Sequence, residues 1–143
     1  MLRLMSLLLA FLLIALVPIQ SSPASLRPIL LLNGETPMPC DSQWHWVAIV
    51  PVNAYVTNAY LFGSVYGGGT GIDAGIWSPS YGGWGVLADV HVMQMTPTGN
   101  SQGQGERSFQ PDSVWVTDVY VGGYCGGGGE AYLFAEIFVR DFP

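Results

Sequence analysis

Two contrasting patterns mark this chain. From Leu4 to Val17 the residues are almost wholly apolar, whereas from Glu130 to Arg140 apolar and polar positions alternate without a break. In the second stretch the odd positions are Ala131, Leu133, Ala135, Ile137 and Val139, with no polar side-chain atom among them. The even positions are Glu130, Tyr132, Phe134, Glu136, Phe138 and Arg140. A period of two is that of a β-strand with one face on a core. Because charges are rarely buried unpaired, the odd face is the inner one.

The same test on 84–92 turns Trp84, Val86, Ala88, Val90 and Val92 inward and Leu87, Asp89, His91 and Met93 outward. In 113–121 it turns Trp115, Val119 and Val121 inward and Asp118 and Tyr120 outward. Earlier segments are apolar on both faces and receive no direction. Val, Tyr, Trp, Phe, Thr and Gly dominate, in runs broken by Pro, Asn and Gly, and predict strands near 28–33, 44–52, 55–66, 71–78, 84–95, 113–122 and 130–140. About seven short strands in one chain predict an all-β fold, a two-layer β-sandwich or jelly roll, with a β-prism or small barrel as the alternative. Residues 25–43 read as an N-terminal extension and the polar segment 96–112 as one long loop. The stretch 113–140 reads as a hairpin turning through the glycine-rich GGYCGGGG.

The leader sets the compartment. Arg3 is the only charge before Arg27, the apolar run is too short to span a bilayer comfortably, and Pro18 breaks it. This is the pattern of a secretory signal, with Ser22 and Ala24 at the small-residue positions. We expect cleavage after Ala24 and one secreted domain over 25–143, with no membrane span once the leader is removed. In such a chain the two cysteines, Cys40 and Cys125, are expected to pair. Closing so long a loop is worth roughly 4–5 kcal/mol on the chain-entropy model.

Charge removes whole classes of partner. There is no lysine, and beyond the leader only Arg27, Arg107 and Arg140 stand against ten acidic residues. Such a surface repels phosphate backbones, so nucleic-acid binding is not expected. The glycine clusters at 67–69, 82–83 and 126–129 open no helix and lack a P-loop lysine, so they are turn formers. No cofactor is implied.

Candidate chemistry is sparse. Asp89 and His91, two apart on one strand, share the outward face and form the minimum for a base or ligand pair. Ser64 in GSVYG does not fit a nucleophile elbow. His45 faces away from Trp44 and Trp46, and two histidines alone do not make a zinc site. Asp41, Asp73 and Asp112 read as loop acids. Glu130 and Glu136 lie about 20 Å apart along their strand, too far for a glycosidase pair. Neither a catalytic nor a metal set is therefore predicted.

The distinctive feature is the outward face of 130–140. Aromatic rings beside carboxylates suit sugars: a ring stacks on a pyranose while the acids accept hydroxyl protons. With Asp118 and Tyr120 expected across the hairpin, the candidate site is Asp118, Tyr120, Tyr132, Phe134, Glu136 and Phe138. The reading is a secreted, non-enzymatic binding or adhesion module, with glycan ahead of protein as the ligand. The alternative is a self-assembling structural subunit, a homo-oligomer pairing through RPILLLN (27–33) or an exposed edge strand. A small extracellular hydrolase using Asp89, His91 or the acids is third.

Overall fold

The computed structural model describes residues 25–94, 96 and 98–141; the expected leader over 1–24 lies outside them. The strands are β1 (Leu26–Leu30), β2 (Thr36–Pro39), β3 (Trp44–Tyr66), β4 (Gly69–Ser78), β5 (Gly85–Met93), β6 (Asn100–Ser108), β7 (Val114–Gly127) and β8 (Glu130–Arg140). Every pairing is antiparallel.

β3, of 23 residues, organises the molecule. Its first half, Trp44–Val56, pairs with β7, which continues through β4 to β5. Its second half, Asn58–Tyr66, lies between β8 and β6, and β8 carries β1 and β2 along its other edge. The strand thus passes from one layer to the other, and the fold is an all-β, two-layer sandwich with one disulfide. Between the layers lie Leu61, Ile72, Ile76, Leu87, Leu133 and Ile137, all fully buried. Gly63 marks how closely the layers meet: a Cβ there would stand 3.4 Å from Val90 and 3.7 Å from Ile72 of the opposite layer.

The inner face of β8 is as read from sequence, since Ala131, Leu133, Ala135, Ile137 and Val139 are buried. Several other expectations are corrected. The two strands expected at 44–52 and 55–66 are one, kinked by a register shift between Pro51 and Ala54, where Asn53 adopts a left-handed φ of 49°. The loop expected over 96–112 contains β6. Strands β7 and β8 do not pair as a hairpin, because β3 runs between them. Most of GGYCGGGG is strand, and Cys125 lies within β7 opposite Ile72, not at a turn. In β5 the register shifts opposite Ile76 and Trp77, so Leu87 turns inward and is buried while Trp84 is exposed. Trp115 is likewise exposed, because the kink in β3 moves the inward position of β7 to Val116.

Cys40 and Cys125 form the disulfide, with Cα atoms 4.4 Å apart. It ties the segment after β2 to β7, an inner strand of the β3–β7–β4–β5 layer. The segment 27–33 already has a partner within its own chain: β1 pairs with β8, and Leu31 and Leu32 are buried.

Candidate functional site

Residues facing one another across an antiparallel ladder stand on the same side of the sheet. On the outer side of the β3–β7–β4–β5 layer this gives three adjacent rows. The first is Trp44, Tyr124, Asp73 and His91; the second is Trp46, Gly122, Gly75 and Asp89; the third is Ile49, Tyr120, Trp77 and Val86. The middle row has two adjacent positions without side chains, and indoles from neighbouring positions lie over both. A Cβ at Gly122 would stand 2.7 Å from Cε3 of Trp46, and one at Gly75 would collide with the six-membered ring of Trp77.

The rings assemble into one cluster. Trp44, Trp46 and Trp77 meet edge to face, with centroids 5.2–5.7 Å apart. Trp84 adds to them, 6.0 Å from Trp46 and 4.7 Å from Tyr120. Packing of this kind fixes ring orientation while leaving much of each surface open. Trp44, Trp46 and Trp84 remain 44%, 49% and 50% exposed.

Trp84 reaches its place at a cost. It follows Gly82 and Gly83, both left-handed, and is itself left-handed with φ 68°. For a bulky residue this conformation costs of order 1–3 kcal/mol. The preceding turn is pinned to β7: Ser78 donates to the Asp118 carbonyl at 2.8 Å, and Ser80 accepts from the Thr117 N–H at 3.0 Å.

Polar groups border the indoles. A cleft of about 390 Å³ opens between Trp44 and Trp77 on one side and Asp89, His91 and Arg107 on the other. His91 Nδ1 hydrogen-bonds the Asp73 carboxylate, the two side chains being 63% and 60% exposed. Arg107 reaches over from β6, donating to the Val86 carbonyl at 3.0 Å and lying 4.9 Å from the Phe109 ring. Asp73 and Asp89 stand diagonally on neighbouring strands, a separation of roughly 7–8 Å between such positions. Both are exposed. Among the described residues, no three His, Cys, Asp or Glu side chains gather as a metal site.

The sequence-derived site divides between opposite faces. Tyr120 belongs to the indole cluster and Asp118 lies two residues along the same face, opposite Pro51. Tyr132, Phe134, Glu136 and Phe138 stand on the outer face of the other layer, half-buried. There Tyr132 meets Tyr66 at 5.8 Å and Phe134 meets Tyr60 at 6.2 Å. The Glu130 charge, and the hydrogen bond to it at 3.3 Å, raise the Tyr132 phenol above its usual 10.0. Asp89 and His91 do share an outward face, but the partner of His91 is Asp73, which lies on β4 and not in a loop. His45, turned from the tryptophans, bonds Asp41 at 2.8 Å. Ser64 is fully buried in mid-strand.

Sequence reasoning missed Trp44, Trp46, Trp77 and Trp84. A usable signal existed: WHW places two indoles two residues apart, hence on one face, and Gly75 stands two residues before Trp77.

No protein-family model matches the sequence, and no curated protein matches it. Solved structures are similar in fold. A chain of infectious bursal disease virus, Gx strain, is 7% identical over 84% of this chain with a TM-score of 0.46, and this chain spans about a third (32%) of its length. A Bacillus endospore appendage, from a family of disulfide-linked pili, is 7% identical over 85% of this chain and 93% of its own, with a TM-score of 0.46. The carbohydrate binding module CBM6cm-2 of Cellvibrio mixtus lichenase 5A, solved with cellotriose, is 11% identical over 81% of this chain and 98% of its own, with a TM-score of 0.38.

Proposed function

We propose that the protein is an exported, non-catalytic binding module that docks a neutral glycan on the indole face of β3, β7, β4 and β5. The observation that carries this reading is the exposure of Trp44, Trp46 and Trp84 on one disulfide-tied sheet. Indoles left half in water contribute little to a core, and soluble proteins rarely group them without a partner. Their faces suit the apolar side of a pyranose, and Asp73, His91 and Asp89 at the border suit its hydroxyls. The edge-to-face contacts leave no gap between rings for a quaternary ammonium, which argues against a choline-type cage. The acids on this face disfavour sulfated or uronic chains. A disulfide fits an oxidising compartment, in keeping with export.

Affinity electrophoresis tests the reading. Wild-type protein should be retarded by at least one of β-glucan, xylan, galactomannan and soluble starch, and not by dextran sulfate. Trp46→Ala should migrate freely while still unfolding in one cooperative transition, at a lower temperature for its lost ring contacts. If no neutral polysaccharide retards the wild type, or Trp46→Ala is retarded equally, the proposal fails.

One observation favours the structural-subunit reading. β1 is an edge strand with Leu26 and Leu30 exposed, and an open apolar edge invites pairing with another copy. Sedimentation velocity over a hundredfold concentration range would reveal such assembly.

A further inference from the structure

We infer that the opposite face, formed by β8, the second half of β3 and β6, is a second glycan-docking surface, so that one molecule bridges two polysaccharide chains. This rests on the reading of the indole face as a glycan site.

The argument begins with register. Along the outer side of β3 run Tyr66, Ser64, Phe62 and Tyr60. Opposite them on β6 stand Asn100, Gln102, Gln104 and Glu106, all exposed. On the other flank Tyr132 faces Ser64 and Phe134 faces Phe62. Each central ring is therefore bordered by an amide or a carboxylate, and Tyr60 already donates to Gln104 Oε1 at 3.2 Å. Rings give apolar faces for stacking, and amides both donate and accept, as sugar hydroxyls require.

Ser64 supplies an independent sign. It is fully buried, yet its Oγ has no hydrogen-bond partner among the described residues. Buried hydroxyls are almost always bonded, and one left open marks a site for explanation. In register it stands on the outer side of β3, between Gln102 and Tyr132.

Chemistry decides the kind of occupant. Glu106, Glu130 and Glu136 stand on this face, and the core of a protein interface is depleted in Glu. The same carboxylates oppose anionic chains and anionic lipid. A neutral, polyhydroxylated chain meets neither objection. Because the two faces lie on opposite sides of one core, both can be occupied at once.

Calorimetry with β-glucan oligosaccharides and turbidity with polymeric β-glucan test the inference together. Wild type should bind two oligosaccharides per molecule and make the polymer solution turbid. Trp46→Ala/Trp84→Ala should keep one site and lose turbidity, and so should Tyr132→Ala/Phe134→Ala. If that second variant fails to fold, Gln102→Lys on the exposed edge should weaken one of the two sites about tenfold and leave the other unchanged. One site in wild type, abolished by the indole substitutions, overturns bivalency and leaves the proposed function standing. Turbidity with a single site and a dimer in sedimentation also overturns it. No binding of β-glucan by wild type overturns the inference, and failure of xylan, galactomannan and soluble starch as well overturns the proposed function itself.

Discussion

The six-membered ring of Trp77 lies over the backbone of Gly75, in the space any side chain at that position would claim. The glycine is thus a constraint on ring orientation more than on chain path. Its ring neighbours Trp44 and Trp46 depend on Trp77 in turn. Gly75→Ala should lift the Trp77 indole, disturb the cluster and cost roughly 1–3 kcal/mol, the usual scale of overpacking. Near-UV circular dichroism and a urea melt check this. An unchanged near-UV spectrum would mean that the ring does not need the glycine.

Trp84 carries a different constraint, since its φ of 68° suits glycine and not alanine. Both Trp84→Gly and Trp84→Ala remove the ring, and so lose its contacts with Tyr120 and Trp46 alike. Only the first relieves the backbone. Trp84→Gly should therefore be more stable than Trp84→Ala by about 1 kcal/mol. Equal stabilities in denaturant titration would show that the left-handed turn is not enforced.

What was legible in the sequence follows from the same physics. The inner face of β8 could be read because Ala131 to Val139 alternate against charges with no bulge to shift their phase. β6 could not, because its inward positions are Ser101, Gly103 and Gly105. These bring the strand against β5, where a Cβ on Gly105 would collide with the Asp89 carbonyl. A strand whose buried side is backbone has no hydrophobic period. Trp84 was misplaced because a register shift at Leu87 reverses the alternation, and such a shift leaves no mark in composition. The candidate site divides because β7 and β8, neighbours in sequence, are not neighbours in the sheet: β3 separates them.

The Cys40–Cys125 bridge closes a separation of 85 residues. Chain entropy alone values such a closure at roughly 4–5 kcal/mol. Reduction and alkylation should lower Tm by about 10–20 °C for a domain of this size. Non-reducing peptide mapping should recover the cross-link. Two alkylatable thiols in native protein would contradict it.

Asp41 offers a pH test. The hydrogen bond from His45, followed by the Gln43 N–H, holds its carboxyl below the ordinary 3.8. A lowered carboxylate stabilises the fold above the unfolded value and loses that contribution as pH falls through the folded one. The side chain is exposed, so solvent keeps the effect on stability small. Carbon-detected NMR should find Asp41 titrating below 3.8, and His45→Ala should move it back up. A midpoint at or above 3.8 in wild type would remove the pairing.

Leu133 and Phe134 are adjacent on β8 yet face opposite environments. Leu133 is fully buried, opposite Gly63 and beside the interlayer contacts with Val90 and Ile72. Removing its isobutyl group leaves a cavity that the rigid layers cannot close, so Leu133→Ala should cost about 2–5 kcal/mol. Phe134 is half-buried on the outer face, resting edge-on against Tyr60 at 6.2 Å. With no second layer over the ring among the described residues, its loss opens a dent to water and not a sealed void. What is forfeited is the apolar area it covers and one aromatic contact, itself worth about 0.5–1.5 kcal/mol. Phe134→Ala should therefore destabilise clearly less than Leu133→Ala in parallel urea melts. It should also lower the number of β-glucan oligosaccharides bound, which Leu133→Ala, where folded, should not. Equal losses of stability would place Phe134 in a covered core and withdraw its face from any role in binding.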